Sequence, residues 1–359
     1  MKTMVTLGAL LLTAVPLAAS AQSERPMPGE PAPADFKVGG KTGDPLANLP
    51  SNVRLISSFG ERAVISPDGK KIAFIGKAMG DAFEYDLATG KTRNLTAHMP
   101  HNGWTRVHYL PDGSYILVGT RSPAATPGET RRDRMELFWM DAQADGVAIP
   151  LEQNLFEGVA VSRISNKIAW AVNTSRKGAA MTPGSDGSST MYVGDVVVEN
   201  GLAKLVNRRA ITTANWNQCV FEAQDFLAGD KGVVGPCYRG RTDGKYDTDV
   251  TSINIADGAV TKYAVPANQY AEVEGIFPDG KRTMVECSND THEGLELCVL
   301  ELKANKPRYH RISHVLDYGN YRFSNPTVGP DGDTIAFQFA HAKDDYGAGR
   351  GILLMKGIK

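Results

Sequence analysis

The chain has 359 residues, of which 42% are hydrophobic and 22% are charged, and its formal net charge is −1. This composition excludes an intrinsically disordered chain, and the lack of a basic excess excludes a dedicated nucleic-acid-binding protein. The 37 glycines and 20 prolines follow no collagen-like period, so they indicate a fold with many turns between short strands.

The first 21 residues have the pattern of a secretory signal peptide. Lys2 supplies a positive charge, residues 4–18 are mostly apolar, and Ala19-Ser20-Ala21 matches the small-residue pattern of a cleavage site. The apolar stretch is too short for a stable membrane span, and no later stretch is long and apolar enough to be one. We therefore expect a cleaved signal peptide over residues 1–21 and a periplasmic or secreted protein.

Residues 22–51 are rich in Pro, Gly and Ala without a period, which predicts a linker or an arm. From residue 52 onward one pattern recurs, and its clearest copy runs over residues 63–75. In that copy two apolar runs flank Pro67-Asp68-Gly69, which is the chemistry of a tight hairpin turn. A third run ends at residue 90 and a fourth follows it, so each repeat predicts four antiparallel strands.

The same turn marks the later repeats. The residues at its proline position are, in chain order, Pro67, Pro111, Arg163, Ala228, Pro278 and Pro330. Repeats of about 40–50 residues with four strands each are typical of β-propeller blades. The 29 residues after Pro330 suffice for three strands, and residues 53–57 offer a spare strand to complete the last blade. We predict one all-β propeller over residues 52–359, six-bladed and closed by the N-terminal strand. The 65-residue interval after Arg163 leaves a seventh blade open.

The blade sequence resembles the PD40 repeats of TolB-like propellers. The resemblance rests on Ser-Pro-Asp-Gly-Lys-Lys-Ile-Ala-Phe at residues 66–74, Asp-Leu-Ala-Thr-Gly at 86–90 and Arg-Asn-Leu-Thr at 93–96. It extends over nearly all of the chain after residue 52 and implies a β-propeller. TolB proteins also carry an α/β domain before the propeller, for which this sequence has no room, so a role in the Tol envelope system is not expected.

The second half of the chain is similar to secreted propellers of the rhamnosyl-glucuronate lyase type. Residues 274–280, 324–326 and 347–353 carry this likeness. It implies β-elimination at a uronic acid, with a histidine as the catalytic residue.

Loop length distinguishes the two faces of the predicted propeller. If the strands of a blade are named A to D from the channel outward, the A–B and C–D turns share one face, which we call the turn face. The B–C and D–A loops share the other, which we call the long-loop face because it carries all the long connections. Loops on a rigid scaffold often carry function, so this pattern predicts the functional site on the long-loop face.

An acidic ring is predicted at the start of the inner strands. In each repeat one position lies five residues before the equivalent of Ser66. The residues at this position are, in chain order, Glu61, Thr105, Glu157, Glu222, Glu272 and Ser324. The four glutamates could bind a divalent cation in the channel, hydrogen-bond sugar hydroxyls or act as acid and base. Alternatively, each accepts backbone N–H groups from a neighbouring blade. No other cofactor is evident.

Polar residues also occur deeper in the inner strands, at His108, at Gln224 and Asp225, and at Glu274. Buried ionisable groups are costly unless they are paired. These positions therefore indicate either a hydrated channel or hydrogen bonds between blades.

A histidine, a tryptophan and an arginine lie together where the chain enters the second blade. At a uronate site an arginine pairs with the carboxylate, an aromatic ring stacks on the sugar and a histidine removes the C5 proton. His101 is the first candidate base and His108 the second, with Arg106 and Trp104 in the other two roles. His341 is predicted to lie on the same face.

The four cysteines are predicted to form two structural disulfides. Cys219 and Cys237 flank the turn of the fourth repeat, and Cys287 and Cys298 flank a B–C connection in the fifth. Directly opposed strand positions allow the Cα distances that a disulfide requires. Disulfides agree with export to an oxidising compartment.

These patterns predict an exported, monomeric enzyme that acts on an anionic, uronate-containing glycan. Elimination would use His101 or His108 with an arginine, and hydrolysis would use two members of the glutamate ring. The alternative is a non-catalytic propeller that binds a glycan or an envelope protein.

Overall fold

Six antiparallel sheets surround a central channel in the computed structural model. It describes residues 35–175, 187–242, 246–289, 294–303, 308–344 and 347–358. The predicted signal peptide over residues 1–21 lies outside this part of the chain. Within the described residues, no helix is long and apolar enough to cross a membrane.

The strands fall into six blades, numbered here in chain order. The first strand, β1 (Val53–Ser57), belongs to the last blade. Blades 1 and 2 contain β2 (Glu61–Ile65), β3 (Lys71–Ile75), β4 (Ala82–Asp86) and β5 (Thr92–Asn94), then β6 (Trp104–Tyr109), β7 (Tyr115–Gly119), β8 (Glu136–Met140) and β9 (Ile149–Asn154). Blades 3 and 4 contain β10 (Phe156–Val161), β11 (Lys167–Ser175), β12 (Gly187–Glu199) and β13 (Leu202–Asn215), then β14 (Val220–Phe221), β15 (Asp225–Phe226), β16 (Gly232–Gly240), β17 (Tyr246–Asn254) and β18 (Val260–Tyr263). Blades 5 and 6 contain β19 (Gln269–Ile276), β20 (Arg282–Asn289), β21 (Glu296–Glu301) and β22 (Tyr309–Arg311), then β23 (Tyr321–Val328), β24 (Ile335–His341) and β25 (Ile352–Met355). One α-helix, α1 (Pro127–Asp133), and three short 3-10 helices, at Pro45–Asn48, Ala228–Asp230 and Val315–Tyr318, complete the described elements.

The ring closes through the N-terminal strand. β1 pairs antiparallel with β25, with Val53 opposite Met355 and Leu55 opposite Leu353. The predicted six blades and their mode of closure are therefore confirmed. The long interval that left a seventh blade open is largely occupied by the extended hairpin of β12 and β13, which have 13 and 14 residues.

The Pro-Asp-Gly turns hold neighbouring blades together as well as forming hairpins. In the first turn the Ser66 hydroxyl donates to Asp68 at 2.6 Å and accepts the Lys71 N–H at 2.9 Å. Gly69 takes a positive φ of 71°, which glycine adopts without strain. A Cβ at Gly69 would lie 3.3 Å from Pro330 of the preceding blade, so glycine also permits close contact between blades.

The core lies between the blades rather than in one central mass. Six clusters of buried apolar side chains occur in the described structure, one at each contact between neighbouring blades. Burial of each cluster removes apolar surface from water and fixes one blade against the next. The channel is thus left to be lined by the inner strands.

Both predicted disulfides are confirmed. Cys219 pairs with Cys237 at a Cα separation of 5.1 Å, and Cys287 pairs with Cys298 at 5.9 Å.

The described end of the predicted arm contacts the propeller, because the N–H of Gly39 donates to the Leu316 carbonyl at 2.8 Å.

Candidate functional site in the central channel

A cavity of about 360 Å³ occupies the channel at the turn face. Its walls are the inner strands and the A–B turns of the blades. Its rim includes Pro67, Ile164, Ala228, Pro278 and Pro330. The cavity therefore opens on the face with short turns, whereas loop length alone predicted the site on the opposite face.

Two arginines and a histidine face one another deep in this cavity. Arg62 lies on β2, and Arg106 and His108 lie on β6, two residues apart and thus on the same side of the strand. Burial, followed by the charges of Arg106 and Arg62, lowers the pKa of His108 to about 3. His108 is therefore a neutral imidazole at neutral pH. Burial and the charges of Arg106 and Arg131 lower the pKa of Arg62 to about 10, so this guanidinium remains charged.

Glu274 on β19 lines the same cavity and is 7% exposed. Burial raises its pKa well above the usual range, and the carboxylates of Glu286 and Glu272 raise it further. Glu274 therefore holds a proton more readily than an ordinary carboxyl group does. The cavity thus combines a neutral histidine, a carboxyl group with a raised pKa and arginine side chains.

Three residues that face the channel adopt left-handed backbone conformations without being glycine. They are Arg62, Glu157 and Asn325, with φ of 53°, 55° and 47°. Arg62 and Asn325 are held by the second strand of the preceding blade. The Arg62 N–H donates to Gln338 Oε1 at 2.6 Å, and the Asn325 N–H and side-chain amide donate to Glu286 at 2.6 and 2.7 Å. Such backbone strain is often found at functional sites. Here the hydrogen bonds to Gln338 and Glu286 hold two of these strained residues in place.

Behind the floor of the cavity lies a cluster of acidic and basic side chains, which we call the ion network. Its members are Glu61, Arg62, Arg106, Arg131, Glu157, Glu222, Glu272 and Glu286. Arg106 Nη2 donates to Glu222 Oε1 at 2.5 Å, and these two side chains are 9% and 2% exposed. Arg131 pairs with Glu157. Two members of the predicted glutamate ring, Glu157 and Glu222, therefore pair with arginines, whereas Glu272 contacts the Tyr238 hydroxyl.

Helix α1 brings Arg131 into the ion network. The Thr126 hydroxyl accepts the Glu129 N–H at 3.2 Å and caps the helix, and Pro127 occupies its first turn. The helix belongs to the long B–C loop of blade 2. This long loop thus helps to close the channel at the long-loop face.

Tyr238 on β16 links two glutamates of the ion network. Its hydroxyl lies 2.7 Å from Glu222 Oε2 and also contacts Glu272 Oε1. A phenol has one proton to donate, so one of the two carboxyl groups must itself hold a proton and donate to Tyr238. Burial, together with the charge of Glu286, raises the pKa of Glu272 well above its usual range, whereas Glu222 is ion-paired with Arg106. Burial thus favours the protonated form of Glu272.

The other predicted site residues lie away from the cavity. His101 Nε2 is 2.9 Å from Asp81 Oδ1, and its Nδ1 accepts the Gly103 N–H at 2.9 Å, so both ring nitrogens have protein partners. Trp104 is 3% exposed and packs edge-on against Phe138, which leaves no free ring face for a sugar.

His341 lies at the end of β24, on the long-loop face. Its ring centroid is 4.9 Å from that of Tyr321, and its backbone N–H donates to Asp344 at 2.7 Å. The structure therefore brings together Arg106, His108 and Glu274 in the cavity but separates them from His101, Trp104 and His341.

Sequence reasoning missed Arg62, Tyr238 and Glu286. Arg62 directly follows Glu61 at the start of an inner strand. Because inner strands line the channel, this position in the sequence could have identified Arg62 as a candidate site residue. Tyr238 and Glu286 lie on second strands, where channel-facing residues are not expected. The described residues contain no group of three or more His, Cys, Asp or Glu side chains arranged to hold a metal ion.

No family model and no curated protein matches this sequence. Among solved structures, TolB from Acinetobacter baumannii is 10% identical, and the match covers 84% of this chain and 65% of that one at a TM-score of 0.48. The chain has a six-bladed β-propeller fold. An oligogalacturonate lyase in complex with manganese is 14% identical, and the match covers 83% of this chain and 77% of that one at a TM-score of 0.49. Regucalcin from Agrobacterium tumefaciens, a calcium-binding protein, is 12% identical, and the match covers 85% of this chain and 92% of that one, also at a TM-score of 0.49. These likenesses concern the fold alone.

Proposed function

We propose that this propeller is an exported enzyme that cleaves uronate-containing glycans by β-elimination in the central cavity. One observation carries the proposal: a histidine whose pKa is lowered to about 3 lines the same cavity as two arginines and as Glu274, a carboxyl group whose pKa is raised. These are the groups that proton abstraction next to a carboxylate requires.

Arg62 and Arg106 are proposed to receive the uronate carboxylate. Pairing with a guanidinium neutralises the carboxylate and thereby makes the C5 proton more acidic. The bound carboxylate would also offset the two positive charges that lower the pKa of His108. His108 thus becomes a stronger base when the substrate is bound.

The proposed reaction is balanced by one base and one acid. His108 takes the C5 proton, the electron pair of that bond forms the C4–C5 double bond, and the bond from C4 to the glycosidic oxygen breaks. Glu274 donates its proton to the departing oxygen. Solvent then restores the proton of Glu274 and removes that of His108, so no oxidant or reductant is needed.

Hydrolysis has less support from the same cavity. It requires two carboxyl groups that flank the bond to be cleaved. Asp225 lines the cavity beside Glu274, but its Oδ2 already accepts from Arg163 at 2.6 Å and from the Ile276 N–H at 2.9 Å. We therefore assign the second role to His108 rather than to a carboxylate.

The size of the cavity limits the substrate. A volume of about 360 Å³ is near the lower end of the range for small-molecule sites. We propose that the enzyme acts on a short glycan or on the end of a chain, which enters from the turn face. Export is proposed from residues 1–21, and the two disulfides support an oxidising compartment.

The test is incubation with oligouronates while the ultraviolet absorbance of the 4,5-unsaturated product is followed. The wild-type protein should produce this signal. His108→Gln and Glu274→Gln should each lower kcat by about a hundredfold or more. His98→Gln is the matched control, because His98 is an exposed histidine that bonds only to the Gly146 carbonyl in the described structure.

Two other results would redirect the assignment. New reducing ends without the unsaturated product would indicate hydrolysis and contradict the role of His108. Saturable oligouronate binding without turnover, weakened by His108→Gln, would indicate the non-catalytic glycan-binding alternative.

A further inference from the structure

A second cavity lies on the long-loop face at the outer part of blade 4. It has a volume of about 680 Å³ and is lined by the ends of β16, β17 and β18 and by the connection to β19. It shares no lining residue with the central cavity. The two cavities therefore open on opposite faces and are separate.

One buried carboxylate in this cavity holds two cations. Asp249 is 7% exposed; it accepts from Lys262 Nζ at 2.6 Å and also pairs with Arg239. On the same wall Arg241 pairs with Asp247 at 3.3 Å. Among the described lining residues, Asp249 thus faces two cations, Arg239 and Lys262.

The two cations on Asp249 are close enough to repel each other. Burial, followed by the charge of Arg239, lowers the pKa of Lys262. Asp249 supplies one negative charge against these two positive charges, so a further anion beside them is favourable. A guanidinium has five N–H donors and an ammonium has three. Asp249 cannot accept hydrogen bonds from all of these donors, so each cation has further N–H groups.

We propose that Arg239 and Lys262, aligned by Asp249, form an oxyanion-binding site, which we call the outer site. Its ligand is the phosphate, sulfate or carboxylate group of a small solute, such as a sugar acid or sugar phosphate. The cavity is large enough to hold the sugar as well as its charged group. This site is independent of the elimination proposed for the central cavity.

The experiment is calorimetric titration at low ionic strength with three probes: inorganic phosphate, inorganic sulfate and glucuronate. Wild-type protein should bind at least one of them. Arg239→Gln and Lys262→Gln should each weaken that binding by about tenfold or more, because each removes a charged hydrogen-bond donor. Asp249→Asn should strengthen it, because the competing carboxylate is removed while the shape is kept.

The opposite signs of these effects separate a binding role from a merely structural one. A general loss of folding would weaken binding in all three variants, and thermal unfolding of each variant checks for it. Lys167→Gln is the matched control, since Lys167 and Asp195 form a similar cross-strand pair at 2.8 Å in blade 3. Its binding should equal that of the wild type.

Two results would overturn the outer site. One is the absence of binding by all three probes. The other is binding that Arg62→Gln abolishes but that Arg239→Gln and Lys262→Gln leave unchanged, which would assign the anion to the central cavity. Loss of uronate cleavage without any change at the outer site would contradict only the proposed function.

Discussion

The two ends of the central channel are built from the same strands but have opposite characters. At the long-loop face, glutamates and arginines pair in a buried ion network, and α1 contributes Arg131 to it. At the turn face, the inner strands and short turns leave an open cavity whose floor holds Arg106 and His108. Arg106 joins the two ends, because it lines the cavity and also pairs with Glu222 of the ion network.

This difference shows that long loops need not mark the open end of a channel. A long loop can fold back and supply side chains that fill the space, as α1 does. Short turns cannot reach the axis, so they leave a cavity whose lining is set by the inner strands. The long-loop end is therefore filled by side chains of the ion network, whereas the turn end is an open cavity.

The largest effect is expected from breaking the link between the two ends. Arg106→Gln leaves Glu222 as a buried carboxylate without its guanidinium partner, so the free energy of unfolding should fall by about 3–5 kcal/mol. Urea denaturation measures the change. Arg106→Gln combined with Glu222→Gln should recover part of this loss, because the unpaired charge is gone.

The control for Arg106 is an exposed ion pair. Lys204 and Glu199 lie 3.7 Å apart with both side chains mostly in solvent. Lys204→Gln should therefore cost less than about 1 kcal/mol. An Arg106→Gln loss of the same small size would show that the ion network is not closed to water.

The next effect tests the hydrogen bonds that Tyr238 makes inside the ion network. Tyr238→Phe removes the hydroxyl between Glu222 and Glu272 and should cost about 1–3 kcal/mol in urea denaturation. Tyr192 stacks on Trp170 and serves as the comparison, so Tyr192→Phe should cost less than about 0.5 kcal/mol. Equal losses of unfolding free energy for the two tyrosine variants would contradict the hydrogen bonds from Tyr238 to Glu222 and Glu272.

A third effect concerns the cavity floor and depends on pH. The pKa of His108 is lowered from 6.5 to about 3, so the unfolded chain binds a proton below pH 6.5 that the folded protein does not. Stability is therefore full above pH 6.5 and falls on acidification, and between pH 7 and pH 5 this site contributes a loss of about 2 kcal/mol.

His108→Gln should remove that part of the acid sensitivity, as measured by urea denaturation at the two pH values. His98→Gln, at an exposed histidine, should leave the difference between pH 7 and pH 5 unchanged. If both variants retain the wild-type acid sensitivity, His108 does not have the lowered pKa on which its proposed role depends.

The smallest effect concerns the rim of the cavity. Gly280 has φ +65°, and a Cβ there would lie 2.9 Å from the Cβ of Ala228 in the preceding blade. Gly201 has φ +76° with no atom within 4 Å. Gly280→Ala should therefore cost about 1 kcal/mol more than Gly201→Ala in thermal or urea unfolding, since both share the backbone strain and only one meets a neighbour. Equal costs would mean that the turns do not touch across the rim.

Much of the fold was predictable because its signals are local and repeated. Each Pro-Asp-Gly turn specifies its own hairpin, and the same position in each repeat maps to the same place in its blade. This is why the glutamates at 61, 157, 222 and 272 could be expected to converge, and why opposed cysteines could be paired.

The site was less predictable because its contacts join different blades. Arg106 and Glu222 are 116 residues apart, and Tyr238 reaches Glu272 across a blade boundary. His101 looked suitable beside Trp104 and Arg106, but its ring is engaged by Asp81 and Gly103 nearby in the chain. These three residues are close in sequence, but the fold places Arg106 in the cavity lining and His101 and Trp104 away from it.

By itself, the sequence determined the repeats, the hairpin turns, the four-stranded blades and the glutamates at their inner edge, because these depend on local backbone chemistry and strand periodicity. Only the tertiary structure decided which end of the channel is open, which charges neutralise one another and which histidine is kept neutral. Those outcomes depend on burial and on distances between blades, and neither is encoded within any single repeat.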